Sequence, residues 1–330
     1  MEPHVIAFLV VTLTVFALTV VFLRILIPIL RSHKVGQKIL DIGPRWHKSK
    51  EGTPIMGGLA FILATLLVAA VFFIVKGLGK EAQNYLPLAI TLAFAVANGA
   101  IGFADDYCKL IKKQNEGLTE KQKLFLQIVI ASAYVCVMAY TGNLPTLWRI
   151  PFTNLSMELG WFCYPVSIIL LVGVINGANF TDGIDGLASC VTCVIGGFLA
   201  VAAFVLHNEG MAVLAGILIG ATLGFLIYNF HPAKVFMGDT GSLFLGALVM
   251  GGAFAMKSPL IGLVVSAVFI IEMLSSLLQR VYFKLTHGKR LFRMAPIHHH
   301  LEKCGWRENK IVAVFSAAEL LFCIVAWLAM

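Results

Sequence analysis

Charged residues are scarce in this sequence: only 13% of its 330 residues are Asp, Glu, Lys or Arg, while 59% are hydrophobic and the mean hydropathy is +0.89. That balance excludes a water-soluble protein of this length and belongs to an all-α, polytopic integral membrane protein. A soluble domain, an internal repeat, a low-complexity segment and a linker are all absent, so residues 1–330 read as a single transmembrane catalytic domain. The first apolar run, Val5 to Leu30, lacks the basic n-region and small-residue cleavage site of a signal peptide, and is expected to stay as a membrane helix. The seven cysteines do not make a zinc site: Cys190-x-x-Cys193 has neither histidines nor a second cysteine pair to complete it, and buried free thiols are expected. A net charge of +8 does not point to nucleic acid, because the basic residues cluster in short loops between apolar runs.

Apolar windows of about 20 residues predict ten spans: 5–30, 54–75, 86–104, 122–141, 161–176, 187–206, 211–229, 242–257, 259–283 and 308–328. The loops 31–53, 105–121, 177–186, 230–241 and 284–307 then fall on one face. With the flanking helix ends, that face has 20 of the 25 Lys and Arg against four on the other. It is therefore expected to be cytoplasmic, with both termini outside. All six aspartates lie on it too. Charge that merely solubilised the protein would be shared between the faces, so this one-sidedness places the chemistry inside. The outer segments 76–85, 142–160 and 207–210 are expected to be connections, the second with a small hairpin around Gly142-Asn143 and with Trp148 and Trp161 as interfacial anchors.

Four stretches carry candidate chemistry. The first is Asn176-Gly-Ala-Asn179-Phe-Thr-Asp182-Gly-Ile-Asp185-Gly186-Leu, polar and glycine-rich between apolar runs. An ionised group at the centre of a membrane helix costs roughly 2.5 to 3.5 kcal/mol, so the stretch belongs at a membrane face with a ligand to hold. The second, Asp105-Asp106, is expected at the end of the third span. Two carboxylates about 4 Å apart repel by about 4 kcal/mol at an effective dielectric of 20, and anions at a helix C-terminus oppose the dipole, so a bound cation would favour them. The third, Phe236-Met-Gly-Asp239-Thr-Gly-Ser242, reads either as a capped helix start or as a third source of carboxylate. Together the three predict a hard cation with oxygen ligands, most simply Mg²⁺ bridged to phosphates. The fourth, Pro296-Ile-His298-His299-His300, is unsuited to one zinc because successive helical side chains diverge by about 100°. With Lys289, Arg290 and Arg293 nearby, it is read as an anion contact. Glu272 and Gln279 extend the polar lining. In the first inner loop Lys48 precedes Gly52-Thr53-Pro54 and a Gly57-Gly58 pair, an arrangement suited to phosphate, while Arg45 and Lys50 are explained by the positive-inside bias alone.

These motifs resemble the signatures of the polyprenyl-phosphate N-acetylhexosamine 1-phosphate transferase superfamily. Lys48-x-x-x-x-Thr53-Pro54-x-Met56-Gly57-Gly58 and the triple histidine followed by Leu301-Glu302-Lys303-x-Gly305-Trp306 are similar to its phospho-N-acetylmuramoyl-pentapeptide transferases. Phe180 stands where the family favours leucine. The resemblance implies transfer of phospho-N-acetylmuramoyl-pentapeptide from UDP-N-acetylmuramoyl-pentapeptide to undecaprenyl phosphate in a bacterial inner membrane. It also implies Mg²⁺, a homodimer and ten helices. Carried onto this chain, Asp239 would hold Mg²⁺, and Asp105 and Asp106 would position the lipid phosphate. Lys48, Asn179, Asp182, Asp185 and Phe236 would bind the uridine side, and Lys121, His298, His299 and His300 the phosphate or sugar. The rival readings are a sister transferase using UDP-N-acetylglucosamine and an ion-coupled transporter; transporter sites lie near the bilayer midplane, whereas these aspartates map to helix ends.

Overall fold

The computed structural model describes residues 2–32, 50–76, 82–112, 117–153 and 155–330. It is a helical bundle: α1 (Pro3–Ser32), α2 (Gly58–Lys76), α3 (Leu86–Lys112), α4 (Glu120–Tyr140), α5 (Cys163–Thr181), α6 (Leu187–Val205), α7 (Glu209–Asn229), α8 (Gly238–Ala255), α9 (Pro259–Val264), α10 (Ala267–Leu285), α11 (Ile297–Lys303) and α12 (Glu308–Leu328). Eight of the helices are long and apolar enough to cross a membrane. These eight answer to eight of the ten expected spans; the other two, 242–257 and 259–283, correspond to α8 and to the broken pair α9–α10, which are not among the eight.

Small residues set the packing. On α7, Gly216, Gly220 and Gly224 lie one turn apart and face the backbone carbonyls of Phe8, Thr12 and Phe16 on α1, so the two helices approach closely, as small-residue stripes permit in lipid. Helix α8 is buried from Thr240 to Phe254 and forms the bundle's axis, flanked by α3 and α5. Gly102 allows α3 to meet the first turn of α8, where any Cβ would collide with the Asp239 carbonyl.

Several boundaries differ from the sequence expectation, each for a local reason. Helix α3 does not stop at 104. It continues to Lys112, so Asp105 and Asp106 sit within it, each paired with Lys109 at i+4 and i+3. Helix α5 runs on to Thr181 and holds Asn179 on a helix rather than in a loop. The ninth span breaks at Val265–Ser266, and the buried Glu319 of α12 accepts a hydrogen bond from the freed Val268 N–H at 3.1 Å. The outer hairpin pairs β1 (Leu147–Arg149) with β2 (Ser156–Glu158), beyond Gly142-Asn143, which instead close the end of α4. Trp148 is buried, donates from Nε1 to the Pro145 carbonyl at 2.8 Å and packs edge-on against Phe254. It is a core residue, whereas Trp161 is exposed as expected.

Helix α12 starts beside Asp185 and α1 starts beside the turn that ends α6. Both termini therefore lie at the end of the bundle opposite the aspartates.

Candidate active site

Helices α3, α4, α5 and α8 bring their polar residues to one point. Asp105, Asp106 and Asp239 each place a carboxylate oxygen within 4.8 Å of the others. Asp106 is the helix cap that the sequence led us to expect of Asp239. Its Oδ2 accepts from Thr240 N (3.0 Å) and Thr240 Oγ1 (2.7 Å), and its Oδ1 accepts from Asp239 N (3.3 Å). The Asp239 side chain is thereby free of capping. Its Oδ1 accepts from Asn179 Nδ2 at 2.8 Å, and its Oδ2 lies 2.7 Å from Lys123 Nζ and 3.4 Å from Lys109 Nζ. Lys123 also donates to Asn179 Oδ1 at 3.0 Å. Asp105 is held by Leu118 N at 2.7 Å and by Lys109. Three carboxylates thus face two ammonium groups.

Asp182 ends α5, its N–H donating to the Asn179 carbonyl at 3.3 Å, and its carboxylate makes no hydrogen bond or ion pair among the described residues. Burial, followed by the charges of Asp239, Asp106 and Asp185, pushes its carboxyl well above the ordinary value of 3.8.

Asp185 is fully engaged. Its Oδ1 lies 2.7 Å from Lys50 Nζ, and its Oδ2 meets His231 Nδ1 at 2.9 Å and Ala233 N at 3.0 Å. Lys50 also reaches Glu308 Oε2 at 2.7 Å, and the same oxygen accepts from Asp185 N at 3.1 Å. Lys50 therefore does more than satisfy the positive-inside bias: it joins the first inner loop to the α5–α6 loop and to α12.

The loop before α2 is stitched to the loop before α8 by main chain. Phe236 N donates to the Pro54 carbonyl at 2.8 Å, Gly57 N to the Phe236 carbonyl at 2.8 Å, and Gly58 N to the Met237 carbonyl at 3.1 Å. Phe236 and Thr53 are half-buried at this seam.

The three histidines diverge, as their spacing requires. His298 is fully buried, with Nδ1 3.0 Å from Glu272 Oε2, and its Nε2 abuts Gly183, where a Cβ would collide with it. His299 pairs with Glu302 at 2.6 Å, and His300 Nδ1 accepts from Arg293 N at 3.1 Å. Gln279 accepts from Leu291 N and Phe292 N and so folds the loop ahead of them.

A family model described as glycosyl transferase family 4 matches residues 88–257. The phospho-N-acetylmuramoyl-pentapeptide-transferase of Clostridium perfringens is 45% identical over 303 residues, covering 92% of this chain and 90% of that protein. Those of Bacillus subtilis and Caldicellulosiruptor bescii are 43% and 42% identical, covering 94% of this chain and 94% and 93% of their own lengths. The chain belongs to the phospho-N-acetylmuramoyl-pentapeptide-transferase family.

In this member of the phospho-N-acetylmuramoyl-pentapeptide-transferase family, Asp105, Asp106, Asn179 and Asp239 converge, with Asp182 near enough to feel their charge. An oxygen-only set of carboxylates within 4.8 Å suits a hard divalent cation such as Mg²⁺ and not zinc. Lys121 is exposed on α4. Lys48 lies outside the described residues. Lys109 and Lys123 were missed as site residues although signals existed. Lys109 follows Asp105 by one helical turn. Lys123 shares a face of α4 with the buried Gln127, whose Oε1 accepts from Asn176, so two polar pairs, 123 with 179 and 127 with 176, run across two apolar helices.

Proposed function

We propose that this protein transfers phospho-N-acetylmuramoyl-pentapeptide from UDP-N-acetylmuramoyl-pentapeptide to undecaprenyl phosphate, forming lipid I and UMP for peptidoglycan synthesis. The observation that carries the site is the meeting of Asp105, Asp106 and Asp239, delivered by two helices far apart in sequence, beside two lysines. An oxygen of the lipid phosphate attacks the phosphorus next to the sugar, a new P–O bond forms, and the bridging oxygen departs with UMP. The acceptor is already nucleophilic, so positioning and charge neutralisation suffice, as in other phosphoryl transfers.

Asp239, with a free lone pair of Asp105, would hold Mg²⁺, which when bound neutralises charge on the diphosphate. Lys109 and Lys123 offer ammonium groups to phosphate oxygens. Asp105 orients the acceptor and takes its proton if it arrives as the monoanion. Asp106 holds Asp239 in place through Thr240. Phe236 offers its ring to the uracil. The Asp182 carboxylate, without a partner among the described residues, faces the donor, and Asn179 holds Asp239 towards the same space. Asp185, Thr53 and Lys48 shape the nucleotide side through the stitched loops. His298 supports the Asp182-Gly183 turn, with His299, His300 and Gln279 shaping the loop beside it.

By the positive-inside bias the site opens to the cytoplasm and the termini face outward across the bacterial inner membrane. The working unit is a homodimer. The test is to supply purified protein with undecaprenyl phosphate and either UDP-N-acetylmuramoyl-pentapeptide or UDP-N-acetylglucosamine, and to measure UMP. Release with the first donor alone is expected. Release with the second alone would assign the chain to the sister activity, and ion flux in proteoliposomes without UMP would replace both.

A further inference from the structure

At the end of α6 far from the aspartates, a second group of ligating side chains has no part in the transfer. Glu2, His4 and His207 each bring one ligand atom to within 4.8 Å of the others. His4 lies in the first turn of α1 and is buried, its ring 5.9 Å from Phe204 and 5.2 Å, edge-on, from His207. His207 sits in the three-residue turn between α6 and α7 with φ +48°. That turn is firmly held: Leu206 N, His207 N and Asn208 N donate to the carbonyls of Ala202, Phe204 and Ala203, and Asn208 caps α7 by accepting from Met211 N at 3.0 Å. Phe8, one turn along α1 from His4, packs edge-on against the same Phe204 at 5.2 Å. The two imidazoles are thus carried by α1 and by the α6–α7 turn, whose relative position is already fixed by packing.

Aromatic packing alone explains His4 against Phe204. It does not explain why a second imidazole and a carboxylate converge on the same point. Two nitrogens and one oxygen form the donor set that borderline divalent cations such as zinc prefer, in contrast to the oxygen-only group at the other end of the bundle. Three protein ligands leave a fourth position, and exposure of Glu2 and His207 gives water access to it. We propose that Glu2, His4 and His207 form a zinc-type metal site that clamps the start of α1 to the α6–α7 turn. The remoteness of this site from the aspartates makes it a structural clamp and not a second catalytic centre: the 19 residues of α6 alone separate the two by about 28 Å at 1.5 Å per residue.

The test uses the full chain, purified without an affinity tag, stripped with chelator and titrated with Co²⁺ in detergent, then with Zn²⁺ in competition. Expected are visible d–d absorption saturating at one equivalent, loss of that signal as Zn²⁺ displaces Co²⁺, and a higher melting temperature with Zn²⁺ than with chelator. His207→Ala and Glu2→Gln alter exposed side chains and should fold. Each should weaken uptake by at least the about 10- to 100-fold that even loss of a supporting partner costs, and should remove the Zn²⁺-dependent rise in melting temperature. UMP release by His207→Ala should match that of the unaltered protein. No absorption change on adding Co²⁺ would overturn the proposal. So would uptake by His207→Ala equal to that of the unaltered protein, which would move the metal to the 298–300 histidines.

Discussion

Asp106 and Thr240 are joined twice, through the backbone N–H of Thr240 at 3.0 Å and its hydroxyl at 2.7 Å, so a carboxylate on α3 caps the start of α8. The neighbouring Asp239 carboxylate is thereby released from that task. Asp106→Ala should remove about 0.5 to 2 kcal/mol of stability, the usual cost of losing a cap. It should also lower kcat by about 100-fold, since a shift of about 1 Å in a positioned group suffices for that. Thr240→Val, which keeps one of the two bonds, should fall between. Thermal unfolding and steady-state UMP release measure both, and equal kcat for all three proteins would remove Asp106 from the positioning role.

Asp239→Asn should leave the fold intact and abolish Mg²⁺-dependent UMP release, a loss of at least about 100-fold on the scale of a single removed electrostatic partner. Adding a chelator to the unaltered protein should reproduce that loss and adding Mg²⁺ reverse it. Near-normal turnover by the variant would take the cation away from this residue.

Lys123→Met and Lys121→Met separate the half-buried, paired ammonium from the exposed one. The first should cost about 100-fold in turnover, because Lys123 holds both Asp239 and Asn179. For the second the effect should stay within about fivefold, since an exposed charge is worth at most about 1 kcal/mol. The opposite order would return Lys121 to the phosphate-binding role that the sequence suggested.

Lys50→Ala takes the ammonium from the buried Asp185 carboxylate, whose side chain is only 1% exposed, and leaves it His231 and Ala233 on its other oxygen. Removing one partner of a buried pair costs about 3 kcal/mol, and Lys50→Ala with Asp185→Asn should recover much of it. Denaturant unfolding of the two single variants and the double variant would show the coupling, and strict additivity would mean that the pair is not one unit.

Asp182 gives a pH signature. Its pKa in the folded protein is raised, so ionising it opposes folding. That destabilisation is absent below the unfolded value of 3.8, grows as pH rises, and is complete above the folded pKa. Without divalent cations, Asp182→Asn should therefore melt higher than the unaltered protein at alkaline pH, and the difference should shrink towards pH 4. A constant difference across that range would mean that Asp182 ionises as readily folded as unfolded.

Much of this was legible in the sequence because membrane insertion makes apolar length and charge placement unambiguous. Eight of the ten expected spans and the shared end of the bundle at which Asp105, Asp182 and Asp239 lie followed from that alone. What escaped was local. Helix α3 was ended too early because two adjacent aspartates look like a terminus until Lys109, one turn on, is seen to neutralise them. Asp239 was a candidate cap because an acid in a first turn usually is one; only tertiary contact shows Asp106 in that place. Lys123 and Lys121 lie in the same helical turn, and choosing between them requires knowing which side of α4 faces α5. The break between α9 and α10 leaves no gap in hydropathy, and its partner Glu319 is more than fifty positions away. Trp148 was misplaced because tryptophan near a membrane end has two common uses, anchor and core, and composition does not distinguish them.

The seam between Pro54, Gly57 and Phe236 is made of backbone amides and carbonyls alone. Gly57 has no room for a side chain, since a Cβ there would collide with Val235 and Phe225, but the identity of residue 236 is not what holds the seam together. If the ring at 236 meets the uracil as proposed, exchanging it for another surface would alter the choice of nucleotide while the frame that presents it stays put.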